Sequence, residues 1–133
     1  MLYRDAIELE TKKGTSFIDI TQQLRDIVEN CKIKEGVCNI FLPATTAGLY
    51  LNEKDRMLLE DFKKHFSSHV GEKKMYHHSG NAFSHMRASM LRNDLTLPVS
   101  NGKLILGAWQ SILLWEFDTE SRNRSVIVTI IGE

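Results

Sequence analysis

The chain has 133 residues, enough for one domain with a proper core and too few for two. Hydrophobic residues make up 42% and charged ones 26%, and 17 Lys plus Arg balance 17 Asp plus Glu, so no net field recruits nucleic acid or an anionic membrane. Apolar runs are only a few residues long and no basic-then-apolar leader opens the chain, which excludes a transmembrane helix and predicts a cytoplasmic protein.

In chain order, Leu2 to Glu10 ends in apolar/polar alternation and predicts a first strand with one wet face. Lys12-Lys13-Gly14-Thr15 reads as a turn. Thr21 is a good N-cap for a helix from Gln22 to Asn30, whose Leu24, Ile27, Val28 and Cys31 form the stripe of a helix laid on a sheet. Cys31 and Cys38 are spaced neither as a metal knuckle nor as a redox pair and read as two buried thiols. Val37 to Leu42 is a strand, Pro43 to Gly48 a small-residue connection, and Leu49-Tyr50-Leu51 extended again.

Asn52 to Asp55 is a polar helix entrance, and the helix to His69 buries Leu58, Leu59, Phe62 and Phe66. His65 and His69 stand four apart on it among lysines with no HExxH glutamate, so they read as surface residues. The next stretch, Tyr76 to His85, holds three of the five histidines. Asn81 is placed to cap a helix from Ala82 to Arg92 with Phe83, Met86, Met90 and Leu91 on one buried side. His78 and His85 would then flank a helix N-terminus, a place that favours an anion and suits metal or phosphate chemistry.

Leu95 to Val99, a turn at Asn101-Gly102, and Leu104 to Leu106 form the clearest hairpin, since Asn-Gly supplies the positive φ of a type I′ turn. Ala108 to Phe117 reads as one long strand with Trp109, Ser111, Leu113, Trp115 and Phe117 on one face and Gln110, Ile112, Leu114 and Glu116 on the other. Trp109 is expected in a core. Arg122 and Arg124 read as a solvated charge pair in a turn. Val126 to Ile131 is apolar on both sides and is expected to be central and covered twice. These elements make a single α+β domain, an antiparallel-rich β-sandwich with about three packed helices, spanning residues 1–133. Its two-sided apolar strands call for a second sheet or a neighbouring subunit.

Ordered pieces from Val37 to Glu133 resemble the YjbQ family, the secondary thiamine-phosphate synthase family. They are Pro43 to Gly48, Asn52-Glu53, Tyr76 with His78, Gly80-Asn81-Ala82, His85, Leu95 to Val99, Gly102-Lys103-Leu104, Leu106 to Gln110, Glu116 and the closing Val-Ile-Val-Thr strand. The resemblance implies a homotrimer with sites near subunit boundaries. It also implies a zinc-type site that includes the histidines matching His78 and His85. His78, His85 and Glu116 become candidate catalytic residues, and His78 and His85 candidate ligands of zinc or another divalent metal. Thr45, Thr46, Asn52, Glu53, Asn81 and Gln110 become candidate contacts to a small phosphorylated substrate.

Two positions depart from the pattern. Ala44 stands where the family presents a third histidine, and Arg56-Met57 stand where an Asp-Pro pair is usual. An alanine cannot ligate, so the metal/phosphate site is expected to be partly degraded. The resemblance implies a transferase joining a pyrimidine diphosphate to a thiazole phosphate. The alternative is a non-catalytic trimer that binds a small anionic or phosphorylated ligand, or a metal.

Overall fold

The computed structural model describes residues 1–133. Its elements run β1 (Leu2–Glu10), β2 (Ser16–Asp19), α1 (Thr21–Asn30), β3 (Gly36–Phe41), β4 (Ala47–Asn52) and α2 (Arg56–His69). They continue with α3 (Ala82–Ala88), β5 (Asp94–Ser100), β6 (Lys103–Leu104), β7 (Ser111–Glu116) and β8 (Asn123–Gly132). The strands make two antiparallel sheets, one ordered β1-β8-β3-β5-β6 and the other β2-β7-β4. No helix is long and apolar enough to cross a membrane.

Period-two alternation decides what each sheet buries. In the larger sheet Val126, Val128 and Ile130 of β8, Cys38 and Ile40 of β3, and Leu95, Leu97 and Val99 of β5 point inward. They meet Ile112 and Leu114 of β7 and Leu49 of β4, and α1 adds Leu24 and Val28. Each such side chain taken from water contributes roughly 1.5–3 kcal/mol. Burial also pushes the Cys38 thiol up to about 12, with Cys31 adding to the effect, so it stays protonated.

The opposite face of β7 carries Leu113 and Trp115, and α2 lies over it. Phe62 and Phe66 from α2 meet the Trp115 ring edge-on at 6.4 and 5.1 Å. Both faces of β7 are therefore buried, one under the larger sheet and one under α2. The second sheet expected from the two-sided strands is present.

Several expectations need correcting. Ser16–Asp19 forms a strand against β7 where only a turn was expected before α1. Thr21 does not cap α1. Its N–H and hydroxyl both bond Asp19 Oδ1, at 3.0 and 2.6 Å, and its hydroxyl accepts from the Ile112 N–H. The long strand over 108–117 is shorter at its start, because Gly107 to Gln110 is a turn closed by a Gln110 N–H···O=C Gly107 bond of 3.1 Å. Trp109 sits in that turn and is 76% exposed, so it is not core.

Helix α3 ends at Ala88 rather than Arg92. Arg92 instead pairs with Leu49 as an isolated antiparallel bridge, which pulls the chain out of the helix. The buried side of α3 is Ala82, Ser84, Arg87 and Ala88, while Met86 and Met90 are exposed. Small residues allow this close approach: a Cβ on Gly48 would lie 2.6 Å from the Leu91 Cβ. Strand β8 is central, between β1 and β3, but its second face is only partly covered within one chain.

Candidate functional site

Four segments meet at one end of the two sheets: the Pro43 to Thr46 connection, the start of α3, the end of β7 at Glu116 to Asp118, and the start of β8. The connection is held from behind by Asn93, whose side-chain N–H groups donate to the Leu42 and Ala44 carbonyls at 3.2 and 2.9 Å. Together the segments surround a recess of about 420 Å³ lined by Pro43, Ala44, Thr45, Thr46, Asn81, His85, Asp118, Arg122 and Arg124. An adjoining hollow of about 290 Å³ shares Ala44, Thr45 and His85.

Two buried carboxylates, each with its own arginine, brace the recess: Asp118 lines it, and Glu116 lies behind the lining on Arg124. Glu116 lies on the inward face of β7 with Ile112 and Leu114, and Arg124 on the inward face of β8 with Val126 and Val128. Arg124 Nε donates to Glu116 Oε1 at 2.8 Å and Nη2 to Oε2 at 2.6 Å. Glu116 also accepts from Thr11 Oγ1 at 2.7 Å and from the Phe117 and Asp118 N–H groups at 3.1 Å. A bidentate pair with these added donors is what a desolvated carboxylate requires.

Asp118 is 2% exposed. Burial pushes its carboxyl up, but bonds from Arg122, Thr46, the Thr119 N–H and Asn81 outweigh that and hold it at about 2. The distances are 2.8 Å from Arg122 Nε, 3.0 Å from Thr46 Oγ1 and 3.3 Å from Asn81 Nδ2. Asn81 thus spans to Asp118 and makes no side-chain cap on α3, contrary to expectation. With only seven residues α3 is also too short to be read as an anion site by its dipole alone.

The two histidines singled out in the sequence do come together. The rings of His78 and His85 are 5.0 Å apart between centroids at 62° to each other, His85 half-buried in the recess wall and His78 exposed beside it. Thr45 and Thr46 line the same recess. Asn52, Glu53 and Gln110 do not. They line a separate hollow of about 370 Å³ with Leu51 and Trp109. Antiparallel pairing explains the separation: Ala47 faces Glu116 at one end of the β4–β7 ladder and Asn52 faces Ser111 at the other, about 17 Å away. Gln110 is engaged locally, accepting from the Gly107 N–H at 2.8 Å.

Arg122, Arg124, Asp118 and Thr11 were not expected in the site, and Arg124 is the opposite of a solvated turn residue, with its side chain 11% exposed. Arg122 keeps 44% of its side chain accessible. The Asp118 carboxylate strengthens its proton affinity and fixes Nε, leaving its outer N–H groups turned to the recess rim and to Glu120 at 3.7 Å. The recess therefore presents a guanidinium edge, the Thr45 hydroxyl and the His85 imidazole to whatever enters it, with the exposed His78 ring against His85 just outside.

A zinc site needs at least three protein donors. No three His, Cys, Asp or Glu side chains converge so as to hold an ion, Glu116 and Asp118 are engaged by arginines, and Ala44 lines the recess without a donor. The residues present within one chain do not make a zinc centre.

The family model described as UPF0047 protein YjbQ-like matches residues 5–133. The chain belongs to the YjbQ family. Among its YjbQ relatives it is 41% identical to a UPF0047 protein of Archaeoglobus fulgidus, over 92% of this chain and 96% of that one. It is 33% identical to the YjbQ protein of Salmonella typhimurium across the full length of both. A crystal structure of a YbjQ-like protein from Sulfolobus solfataricus superposes with a TM-score of 0.95 at 35% identity, covering 100% of this chain and 99% of that one. The YjbQ fold is thus shared whole, helices and both sheets included.

Proposed function

We propose that the recess beside His78 and His85 binds the phosphate end of a small phosphorylated molecule. The observation that carries this reading is the convergence of the two imidazoles, 5.0 Å apart, at the edge of a recess whose rim carries Arg122. A phosphate oxygen would take the outer N–H groups of Arg122 and the Thr45 hydroxyl, and an imidazole N–H from either ring. Asp118 and Glu116 do not repel it strongly, because each negative charge is matched by an arginine at hydrogen-bond distance. Their task is to hold Arg122, Arg124 and Thr46 in place.

A transferase reading uses the same binding step and the chemistry implied by the family resemblance. A pyrimidine diphosphate would lose pyrophosphate as the nitrogen of a thiazole phosphate attacks. Hydrogen-bond donors would stabilise the departing pyrophosphate, and the Arg122 guanidinium with an imidazole N–H supplies them. What an imidazole can add is an N–H donated to the leaving pyrophosphate oxygen as the C–O bond breaks.

The exposed face of the larger sheet supports a homotrimer. Leu2, Ile131, Val37 and Pro98 lie in one cross-strand row and Ala6, Ile127 and Phe41 in another, outward and largely uncovered. A neighbouring copy would give β8 its second cover. Mass measurement in solution tests this, and a clean monomer overturns it.

The test of function is product formation from the pyrimidine diphosphate and thiazole phosphate, with calorimetric binding of the thiazole phosphate measured in parallel. His78→Ala and His85→Ala are expected to lower turnover at least about 100-fold, and Arg122→Gln to weaken binding. Binding without turnover selects the non-catalytic reading. Wild-type binding and rates in all three variants remove the recess from any function.

A further inference from the structure

On the other side of α3, Arg87 turns into a second recess. It follows His85 by two residues, about 200° around the helix, and is 3% exposed. Its Nε and Nη2 donate to the Val70 carbonyl at 3.0 and 2.9 Å, and Nη1 to Thr15 Oγ1 at 3.0 Å. The Phe83 ring lies 5.1 Å from its Cζ and fixes the plane of the guanidinium. Val70 is the C-cap of α2, so the guanidinium offsets the negative end of that helix. A guanidinium has about five N–H donors, and these bonds do not use all of them.

The space over it is about 610 Å³ and no hydrophobic side chain lines it. Lys63, Lys64 and Lys73 add three ammonium groups to the guanidinium, and Glu72 is the single carboxylate, 3.7 Å from Arg87 Nη1. Four cations against one anion leave a formal charge of +3 on the lining, in a chain whose net charge is zero. Lys63 is partly drawn toward Glu60 at 3.4 Å. Lys64 and Lys73 have no such partner in the structure.

We propose that this recess is a second anion site, which binds a multiply charged phosphate group of the pyrophosphate type. Arg87 forms the floor, with the ammonium groups of Lys64 and Lys73 closing over the phosphate from two sides. Since no hydrophobic or aromatic residue lines it, recognition ends at the phosphate and no ring is stacked. The site is independent of the recess at His85, from which α3 separates it.

The test is a titration of the full-length protein with inorganic pyrophosphate at fixed ionic strength, read residue by residue from backbone amide resonances. The amides of Gly71 to Lys73 are expected to move, with a dissociation constant below about 1 mM. Lys64→Gln with Lys73→Gln should weaken this about tenfold, while Lys32→Gln with Lys103→Gln, an equal charge loss at the α1–β3 connection and β6, should leave it unchanged. Movement confined to Thr45, Asn81 and their neighbours, no movement at all, or the same weakening in both double variants would overturn the proposal. Movement at Thr45 and Asn81 in addition to Gly71 to Lys73 supports both sites separately.

Discussion

Arg124 and Glu116 form a bidentate ion pair at one end of the sandwich, with the Glu116 side chain 1% exposed. The Glu116 carboxylate has no water to fall back on, and Arg124, 11% exposed at the recess, has little. Removing one partner leaves the other buried and uncompensated, which typically costs about 3–5 kcal/mol. Arg124→Ala is expected to lose stability on that scale in urea unfolding. Adding Glu116→Leu to it should recover part of the loss, so that the double-mutant cycle shows coupling above about 1 kcal/mol. Strict additivity would mean that the pair is not coupled in solution.

Asp118 predicts how stability responds to acid. Its folded-state carboxyl sits at about 2, below its ordinary value of 3.8, so between those values the unfolded chain binds more protons than the folded one. Stability is therefore complete above about pH 4 and falls as pH drops toward 2, by roughly 2 kcal/mol from this group. Asp118→Asn should lower stability at pH 7 and flatten the fall between pH 4 and 2 in chemical unfolding. An unchanged slope would remove Asp118 as its source.

Gly48 is the point at which β4 lets the end of α3 approach. A Cβ there would lie 2.6 Å from Leu91 Cβ and 3.2 Å from its Cδ1, and a Cβ cannot swing aside. Gly48→Ala should cost about 1–3 kcal/mol by overpacking. It should also shift Leu91 and loosen the helix that carries His85. Thermal melting checks the first effect and amide shifts along α3 the second.

Ala44 sits in the recess wall with its N–H bonded to Leu42 O at 3.0 Å and its carbonyl to Asn93. A side chain placed there starts from a fixed backbone. Ala44→His would add a third imidazole beside His78 and His85, and zinc affinity measured by competition with a chelator should rise at least about tenfold. Stoichiometric zinc in the wild type, with no gain on substitution, would show that two imidazoles suffice or that the ligands lie elsewhere.

Much of this molecule was legible from local pattern. The Asn101-Gly102 turn has φ of 53° and 73°, as a type I′ hairpin demands, and the stripe of Leu59, Phe62 and Phe66 lies where its spacing put it. His78 and His85, seven residues apart across the Gly80 turn, meet with ring centroids 5.0 Å apart. Trp109 was misplaced because alternation was carried back through Gly107 to Gln110, where a turn had already broken it. Arg124 escaped the pattern for the opposite reason. Extending the alternation of Val126, Val128 and Ile130 back by one step puts Arg124 on the inward face, opposite a glutamate that follows Ile112 and Leu114 inward on β7. The distance from Asn52 and Gln110 to the recess followed from strand pairing, which no local signal carries.

The most direct measurement follows the ring protons of all five histidines by NMR while thiazole phosphate is added to the full-length protein. The account predicts saturable shifts at His78 and His85, lost in Arg122→Gln, with the exposed pair His65 and His69 on α2 unmoved. Unmoved His78 and His85 rings, or equal shifts at all five, would contradict it.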